Sequence, residues 1–181
     1  MCEFVGLDLE MTIKEHYHEV LEVFSDLYIY IFDGLKERYA NELDTINNQY
    51  PFEPLKYIKP RSEHRAREVA GSSLPAGVRP FYTMPDPTDK RWSHSNDMMI
   101  RGEEMVSGAQ RVHIPKLQME RMDILGVLQE SMRNYIYSFR LGALPHGGGG
   151  IGLERVVMLY LGLGNISKSS MFSRDPKRLL P

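Results

Sequence analysis

The chain has 181 residues, with 22 basic against 24 acidic side chains and a formal net charge of −2. That length suits one ordinary domain or a part of a larger one, and the charge excludes a global basic field that would draw the molecule onto nucleic acid. The single cysteine, Cys2, excludes an internal disulfide and a zinc site built on cysteines alone. No apolar run approaches the roughly 18 residues of a membrane helix, and the acids within the first eight residues argue against a signal peptide, so the expectation is a cytosolic, globular protein without membrane contact.

The first segment alternates with period two. Val5, Leu7, Leu9 and Met11 point one way and Phe4, Gly6, Asp8 and Glu10 the other, which predicts a half-buried strand over 4–11 with two carboxylates on one face. Val20, Val23, Phe24, Leu27, Ile31 and Leu35 recur at helical spacing and predict a long helix over about 15–41. Gly34 weakens that helix without ending it. Seven of the eleven prolines lie between 51 and 96, so long helices are not expected there. The polar, basic stretch 61–75 reads as an exposed connection. His16 and His18 are two apart and would not face each other on a helix, which makes them surface histidines rather than a metal pair. Trp92 reads as a packing residue.

A second strand system is expected over 97–113, with Gly102 and Gly108 introducing a bend or hairpin. Leu117, Met122, Leu125, Leu128 and Met132 predict a helix over about 116–136, followed by a short strand at 135–143. Eight of the fifteen glycines fall between Gly142 and Gly164, and Gly147 to Gly150 are consecutive. A flexible linker is one reading of that run. The apolar Val156, Val157, Met158, Leu159 and Leu161 immediately after it favour a strand or turn whose backbone approaches a ligand, and then a buried helix. The tail from Asn165 onward reads as surface.

Three groups of residues could carry chemistry. Arg155, in the first turn of the helix after the glycines, together with free backbone N–H groups makes an anion site, or else is a snorkelling helix-end arginine. Glu103, Glu104, Ser107 and Arg111 follow one another around Gly102 and Gly108, and on an extended segment Ser107 and Arg111 share a face. An acid, a hydroxyl and an arginine together suit a cation and a carboxylate, against the plainer reading of an exposed strand with mixed charges. Asp97 stands seven residues before Glu104, and two carboxylates with open positions suit Mg²⁺ held mainly by substrate phosphates. Asp8 and Glu10 form a third, acidic face, or simply a solvated one.

The segments EFVGLDLEM, RPFYTMPDP, MIRGEEMVSGAQRVH, GGGGIGLERVVML and SMFSRDPKRLLP, in this order, resemble the C-terminal part of the catalytic domain of the eukaryotic cytosolic aspartyl-tRNA synthetases, which are class II aminoacyl-tRNA synthetases. GIGLER is similar to the family's third signature motif. The resemblance implies an α+β fold, a partial class II core with an antiparallel sheet flanked by helices, as one C-terminal fragment over 1–181 with 61–75 as an atypical connection. It implies ATP as substrate with Mg²⁺, and L-aspartate and tRNA(Asp) as partners. Carried over by motif, Arg155 would bind the terminal phosphates of ATP, with Gly152, Leu153 and Glu154 lining the nucleotide site. Glu104 and Asp97 would hold Mg²⁺, with Arg155 and Glu104 as the catalytic pair. Arg111 would take the aspartate side-chain carboxylate, Ser107 would support the same end, and Asp8 would face the ammonium group.

The chain starts just after the place where the family carries its second signature motif. The first motif, which builds the family's homodimer interface, and the N-terminal anticodon-reading domain are not in it. The stretch between Lys59 and Val78 is shorter than the family's, and Phe172-Ser173 stands for the family's Phe-Pro. The expectation is therefore that the isolated chain is inactive or needs a partner chain. Two rival functions stand beside the ligase: a tRNA-independent ligase that activates aspartate, and a non-catalytic binding or scaffold module.

Overall fold

In the computed structural model the described residues are 2–57, 70–72 as backbone, and 74–177. Five strands form one antiparallel sheet: β1 (Gly6–Thr12), β2 (Ala70–Ser72), β3 (Ser95–Ile100), β4 (Glu103–Gln110) and β5 (His146–Gly152), in the spatial order β1-β5-β4-β3-β2. Five α-helices accompany it among the described residues: α1 (His18–Arg38), α2 (Ala40–Gln49), α3 (Pro115–Ile124), α4 (Arg133–Arg140) and α5 (Leu153–Tyr160). This is the α+β architecture expected, an antiparallel sheet with helices against it.

The alternation of β1 decides which face is covered. Leu9 and Met11 pack against the core, while Asp8 and Glu10 are exposed. The same parity runs through the sheet. Ile151 of β5, Val106 of β4 and Met98 and Ile100 of β3 are buried, and they meet Val20, Leu21, Phe24, Tyr28 and Phe32 of α1 and Val156, Leu159 and Tyr160 of α5. Phe24 is fully buried, and a side chain of that size contributes about 3–5 kcal/mol by the cost of truncating it. The helices therefore cover one face and leave the other to solvent. A cavity of about 780 Å³ lies on the covered side, bordered by Tyr28, Phe32, Tyr57, Met98 and Met105.

Several expectations need correction. The long helix ends at Arg38, and a separate helix, α2, starts at Ala40 after Tyr39 leaves helical geometry at φ −126°. The helix expected over 116–136 stops at Ile124, because Gly126 takes φ +66°. The strand expected at 135–143 is instead helix α4, whose Ile136 and Phe139 are buried at the i, i+3 spacing of a helix face. In the 97–113 region Gly102 makes the predicted hairpin: Arg101 and Gly102 both have positive φ (52° and 81°), the geometry that a two-residue turn between right-twisted strands requires. Gly108 makes no bend; it lies inside β4, paired with Asn96 and Gly149. The surface reading fails for His18, while His16 is half-buried. His18 is buried and their rings lie 3.9 Å apart, because His16 precedes the helix and helical spacing does not govern the pair. Trp92, read as a packing residue, is 41% exposed.

Of the connection expected over 61–75, residues 61–69 and 73 lie outside the described residues, whereas 70–72 form β2 on the edge of β3. The only helical turn among the described residues of the proline-rich region is a short 3₁₀ turn, Ala76–Val78. The tail is on the surface as expected, with Met171 and Phe172 largely exposed; residues 178–181 lie outside the described part. No helix among the described residues is long and apolar enough to cross a membrane.

Candidate active site

The open face of the sheet collects the predicted site residues in rows. Asp8 of β1 pairs with Gly150 of β5, Gly150 with Ser107 of β4, and Ser107 with Asp97 of β3. Directly paired residues in a sheet point to the same side, so one row crosses four strands as carboxylate, glycine, hydroxyl and carboxylate. A Cβ at Gly150 would lie 2.8 Å from Asp8 Oδ1, so a side chain there would push the Asp8 carboxylate from its place. One pair further along, Glu10 stands opposite Gly148 and Gly148 opposite Ala109.

Glu104 joins this face through a β-bulge. The pairing runs Met98↔Val106 and then Met99↔Glu104, so β4 carries one extra residue, Met105. Met105 and Val106 are both buried, two consecutive residues turned to the covered face, and Glu104 returns to the side of Asp97 and Ser107. Bulges re-aim side chains in this way beside functional sites. The Glu104 carboxylate is exposed and makes no hydrogen bond or ion pair with the described residues.

The two arginines mark opposite ends of the face. Arg111 follows β4, and its main-chain N–H donates to His146 at the start of β5 (2.9 Å). Its Nε donates to Glu10 Oε1 at 3.0 Å, its Nη2 pairs with the same oxygen, and the guanidinium lies over the Tyr82 ring at 5.2 Å. Tyr135 closes that end from α4, its hydroxyl 3.2 Å from His146 Nε2. Burial raises the Tyr135 pKa, and the nearby Arg111 and Glu10 charges act on it in opposite directions. At the other end Arg155 sits in the first turn of α5, and its Cβ lies 3.8 Å from where a Gly152 Cβ would stand. Its Nε donates to the Glu104 carbonyl, and Nη2 is 3.6 Å from Glu103 Oε2. Gly152 lies six residue steps along β5 from His146, about 20 Å of strand. The two guanidiniums therefore border one open surface, not an enclosed hollow.

The GIGLER segment divides its duties. Leu153 is half-exposed and its N–H donates to Val5 O at 2.9 Å. The buried Glu154 carboxylate accepts the Val5 N–H, at 3.1 and 3.0 Å. Both residues thus tie the entry of β1 to α5. Asp97 is likewise committed: its Oδ1 accepts Nη2 of Arg79 at 2.8 Å and the hydroxyl of Ser107 at 2.7 Å, and Ser107 Oγ accepts Nη1 of Arg79 at 3.0 Å. Arg79 was not among the predicted site residues, and Glu10 was named only as part of the acidic face of β1, without its pairing to Arg111. Glu10 had a signal, since it shares parity with Asp8. Arg79 had none, being a lone arginine in a proline-rich loop whose fold the sequence leaves open.

As a metal site, Asp97 and Glu104 stand on neighbouring strands one pair apart on the same face, with oxygen donors that suit a hard cation and too few of them to enclose it. The described residues contain no group of three or more metal-binding side chains. The donor set therefore fits Mg²⁺ only where phosphate oxygens complete the shell.

A family profile described as tRNA synthetases class II (D, K and N) matches residues 1–176. The chain is similar to the cytoplasmic aspartate–tRNA ligase of Homo sapiens, 45% identical across the whole chain and 44% of that protein. It is also similar to the cytoplasmic aspartate–tRNA ligase 1 of Dictyostelium discoideum, 43% identical across the whole chain and 38% of that protein. The human alignment runs over 219 positions for 181 residues here, so the human protein carries residues this chain lacks. Among solved structures, the aspartyl tRNA synthetase of Entamoeba histolytica superposes with a TM-score of 0.87 at 39% identity, covering 98% of this chain and 44% of that one. The asparaginyl-tRNA synthetase of Pyrococcus horikoshii shares the fold, with a TM-score of 0.80 at 22% identity over 98% of this chain and 50% of that one. The chain thus spans less than half the length of the aspartate enzymes it matches. By profile, sequence and fold together, it belongs to the class II tRNA synthetases of the D, K and N group.

Proposed function

We propose that this chain forms the C-terminal part of the catalytic domain of a cytoplasmic aspartate–tRNA ligase. The reading is carried by one arrangement: Asp8, Ser107, Asp97 and Glu104 lie on a single sheet face with Arg111 at one end and Arg155 at the other. Its relatives of 41–46% identity are aspartate–tRNA ligases.

The reaction assigned to the site has two steps. The α-carboxylate of L-aspartate attacks the α-phosphorus of ATP, pyrophosphate leaves, and aspartyl-adenylate remains. The aspartyl group then passes to the terminal ribose of tRNA(Asp). Such chemistry needs positioning and neutralisation of spreading negative charge. Arg155 binds the terminal phosphates beside Gly152 and the N-terminus of α5. Glu104 and Asp97 are the residues that hold Mg²⁺, which adds positive charge against the triphosphate. Arg111 takes the aspartate side-chain carboxylate, exchanging Glu10 for it; a carboxylate neutralises the guanidinium and an amide does not. Ser107 supports that end, and Asp8 faces the ammonium group. The tRNA and the homodimer partner belong to the protein as a whole.

The test is exchange of pyrophosphate into ATP by the polypeptide as the cell makes it. Exchange driven by aspartate and not by asparagine, and lost in Arg155→Ala, supports the ligase. ATP bound without exchange in that polypeptide favours the scaffold module. Aspartate-driven exchange without charging of tRNA(Asp) favours the tRNA-independent ligase.

A further inference from the structure

Arg79 reaches the open face from the loop after the 3₁₀ turn and closes a triangle there. Its Nη2 lies 2.8 Å from Asp97 Oδ1, its Nη1 lies 3.0 Å from Ser107 Oγ, and Ser107 donates to Asp97 at 2.7 Å. The pair is sheltered, with 16% of the Arg79 side chain and 20% of the Asp97 side chain exposed, so the surrounding water screens it little. A carboxylate oxygen that already accepts two short hydrogen bonds, one from a full positive charge, has little left for a metal ion. Nε of Arg79 is buried and has no acceptor, so this guanidinium keeps one donor of its fork unspent. A buried unspent donor is an unfavourable arrangement that an incoming anion can relieve.

We propose that Arg79 and a divalent cation compete for the Asp97 carboxylate, which makes Arg79 a positioning residue that holds the metal site closed until an anionic ligand draws its guanidinium away. The inference rests on the ligase reading for its purpose but not for its measurement. In the free chain Asp97 Oδ1 serves Arg79 and Ser107, the guanidinium's positive charge opposes a cation at the neighbouring Oδ2, and of Asp97 and Glu104 it is Glu104 whose carboxylate stands uncommitted. An oxyanion, either the substrate's α-carboxylate or a phosphate, supplies the acceptor that Nε lacks and releases Asp97 to the cation. Arg79 thereby couples arrival of the anion to completion of the metal site.

The experiment titrates Mn²⁺ alone, without nucleotide, into the polypeptide as the cell makes it and follows free Mn²⁺ by electron paramagnetic resonance. Removing the competing charge in Arg79→Gln is expected to tighten Mn²⁺ binding about tenfold, the scale of one charge-assisted hydrogen bond. Adding Asp97→Asn to that variant is expected to abolish the gain. Arg79→Lys keeps the charge but cannot span Asp97 and Ser107 together, and it is expected to fall between the two. An affinity in Arg79→Gln equal to the parent's, or a gain that survives Asp97→Asn, overturns the proposal. If Arg79→Gln melts below the assay temperature, Arg79→Lys decides, and no gain there overturns it equally. Failure of aspartate-driven exchange would count against the ligase and leave the Mn²⁺ comparison standing, while equal Mn²⁺ affinities would remove the competition and leave the ligase standing.

Discussion

Glu104 and Ser107 are three residues apart on one strand and yet present their side chains to the same face, because Met105 is an extra residue between them. Strict alternation puts Glu104 on the side of Val106, which is 1% exposed, where an unpaired carboxylate is too costly to bury. The bulge resolves the conflict by turning Met105 and Val106 together into the core.

Deleting Met105 therefore separates the two roles. The strand regains its alternation, and Glu104, now next to Val106, keeps its place opposite Met99 on the open face. The lost methionine contacts cost about 2–5 kcal/mol. We expect a lower melting temperature with any Glu104-dependent Mn²⁺ binding retained. Loss of that binding in the deletion variant would show that this register does not place Glu104.

Gly148 is the least substitutable residue of β5. A Cβ there would fall 1.8 Å from Leu9 O and 2.8 Å from Glu10 Cα, and main chain cannot yield as the end of a flexible side chain can. Gly148→Ala should destabilise by several kcal/mol, on the order of 4, by forcing β1 away from β5. Amide hydrogen exchange would register this first along β1, which has no second strand neighbour among the described residues. Native-like protection of β1 in the variant would refute the close approach.

Arg111 carries the discrimination for a carboxylate in the proposed function. Arg111→Ala removes one partner of a charge pair and should cost about 2–5 kcal/mol of aspartate recognition. The measurement is aspartate titration of the exchange-competent polypeptide, and unchanged affinity would contradict the role. Arg111→Lys should recover little, since a point charge replaces a fork seated over the Tyr82 ring.

Asp86 gives the fold an acid-sensitive clasp. Hydrogen bonds from the Thr88 hydroxyl and N–H, then from the Asp89 N–H, lower its pKa to about 2, and His94 with Nε2 at 3.5 Å adds to the effect. The folded pKa lies below the unfolded value of about 3.9. The stabilisation is therefore complete above pH 4 and is lost as pH falls through the range from 4 to about 2. In Asp86→Asn that part of the pH dependence should vanish from thermal melts between pH 5 and pH 2. An unchanged slope would assign the acid sensitivity to other carboxylates.

Much of the site could be read from one strand at a time. Parity alone put Asp8 and Glu10 together, and Ser107 with Arg111, because β side chains alternate without regard to what lies beside them. The glycine run was read as a backbone that approaches a ligand; what crowds it in the structure is the main chain of β1 and β4, where a Cβ at Gly148 or Gly149 would strike Leu9 O or Ser107 O. The two-residue hairpin was legible at Gly102 and not in the shape of β4, because a bulge depends on the partner strand and leaves no mark in local composition. The break between α3 and α4 and the helicity of 133–140 were missed for a related reason: Tyr135, Ile136 and Phe139 suit a strand as well as a helix face until their packing partners are known.

The amino-acid order by itself determined the element types around the glycines and the acidic face of β1, because each of these is local or a pattern of spacing, and its motifs carried the resemblance to the family. Tertiary structure alone decided that Glu104 faces the site, that Glu10 occupies Arg111, and that Arg79 occupies Asp97. Those pairs join residues 18 to 101 positions apart, and which opposite charges meet depends on strand register and loop closure, quantities that only the assembled sheet fixes.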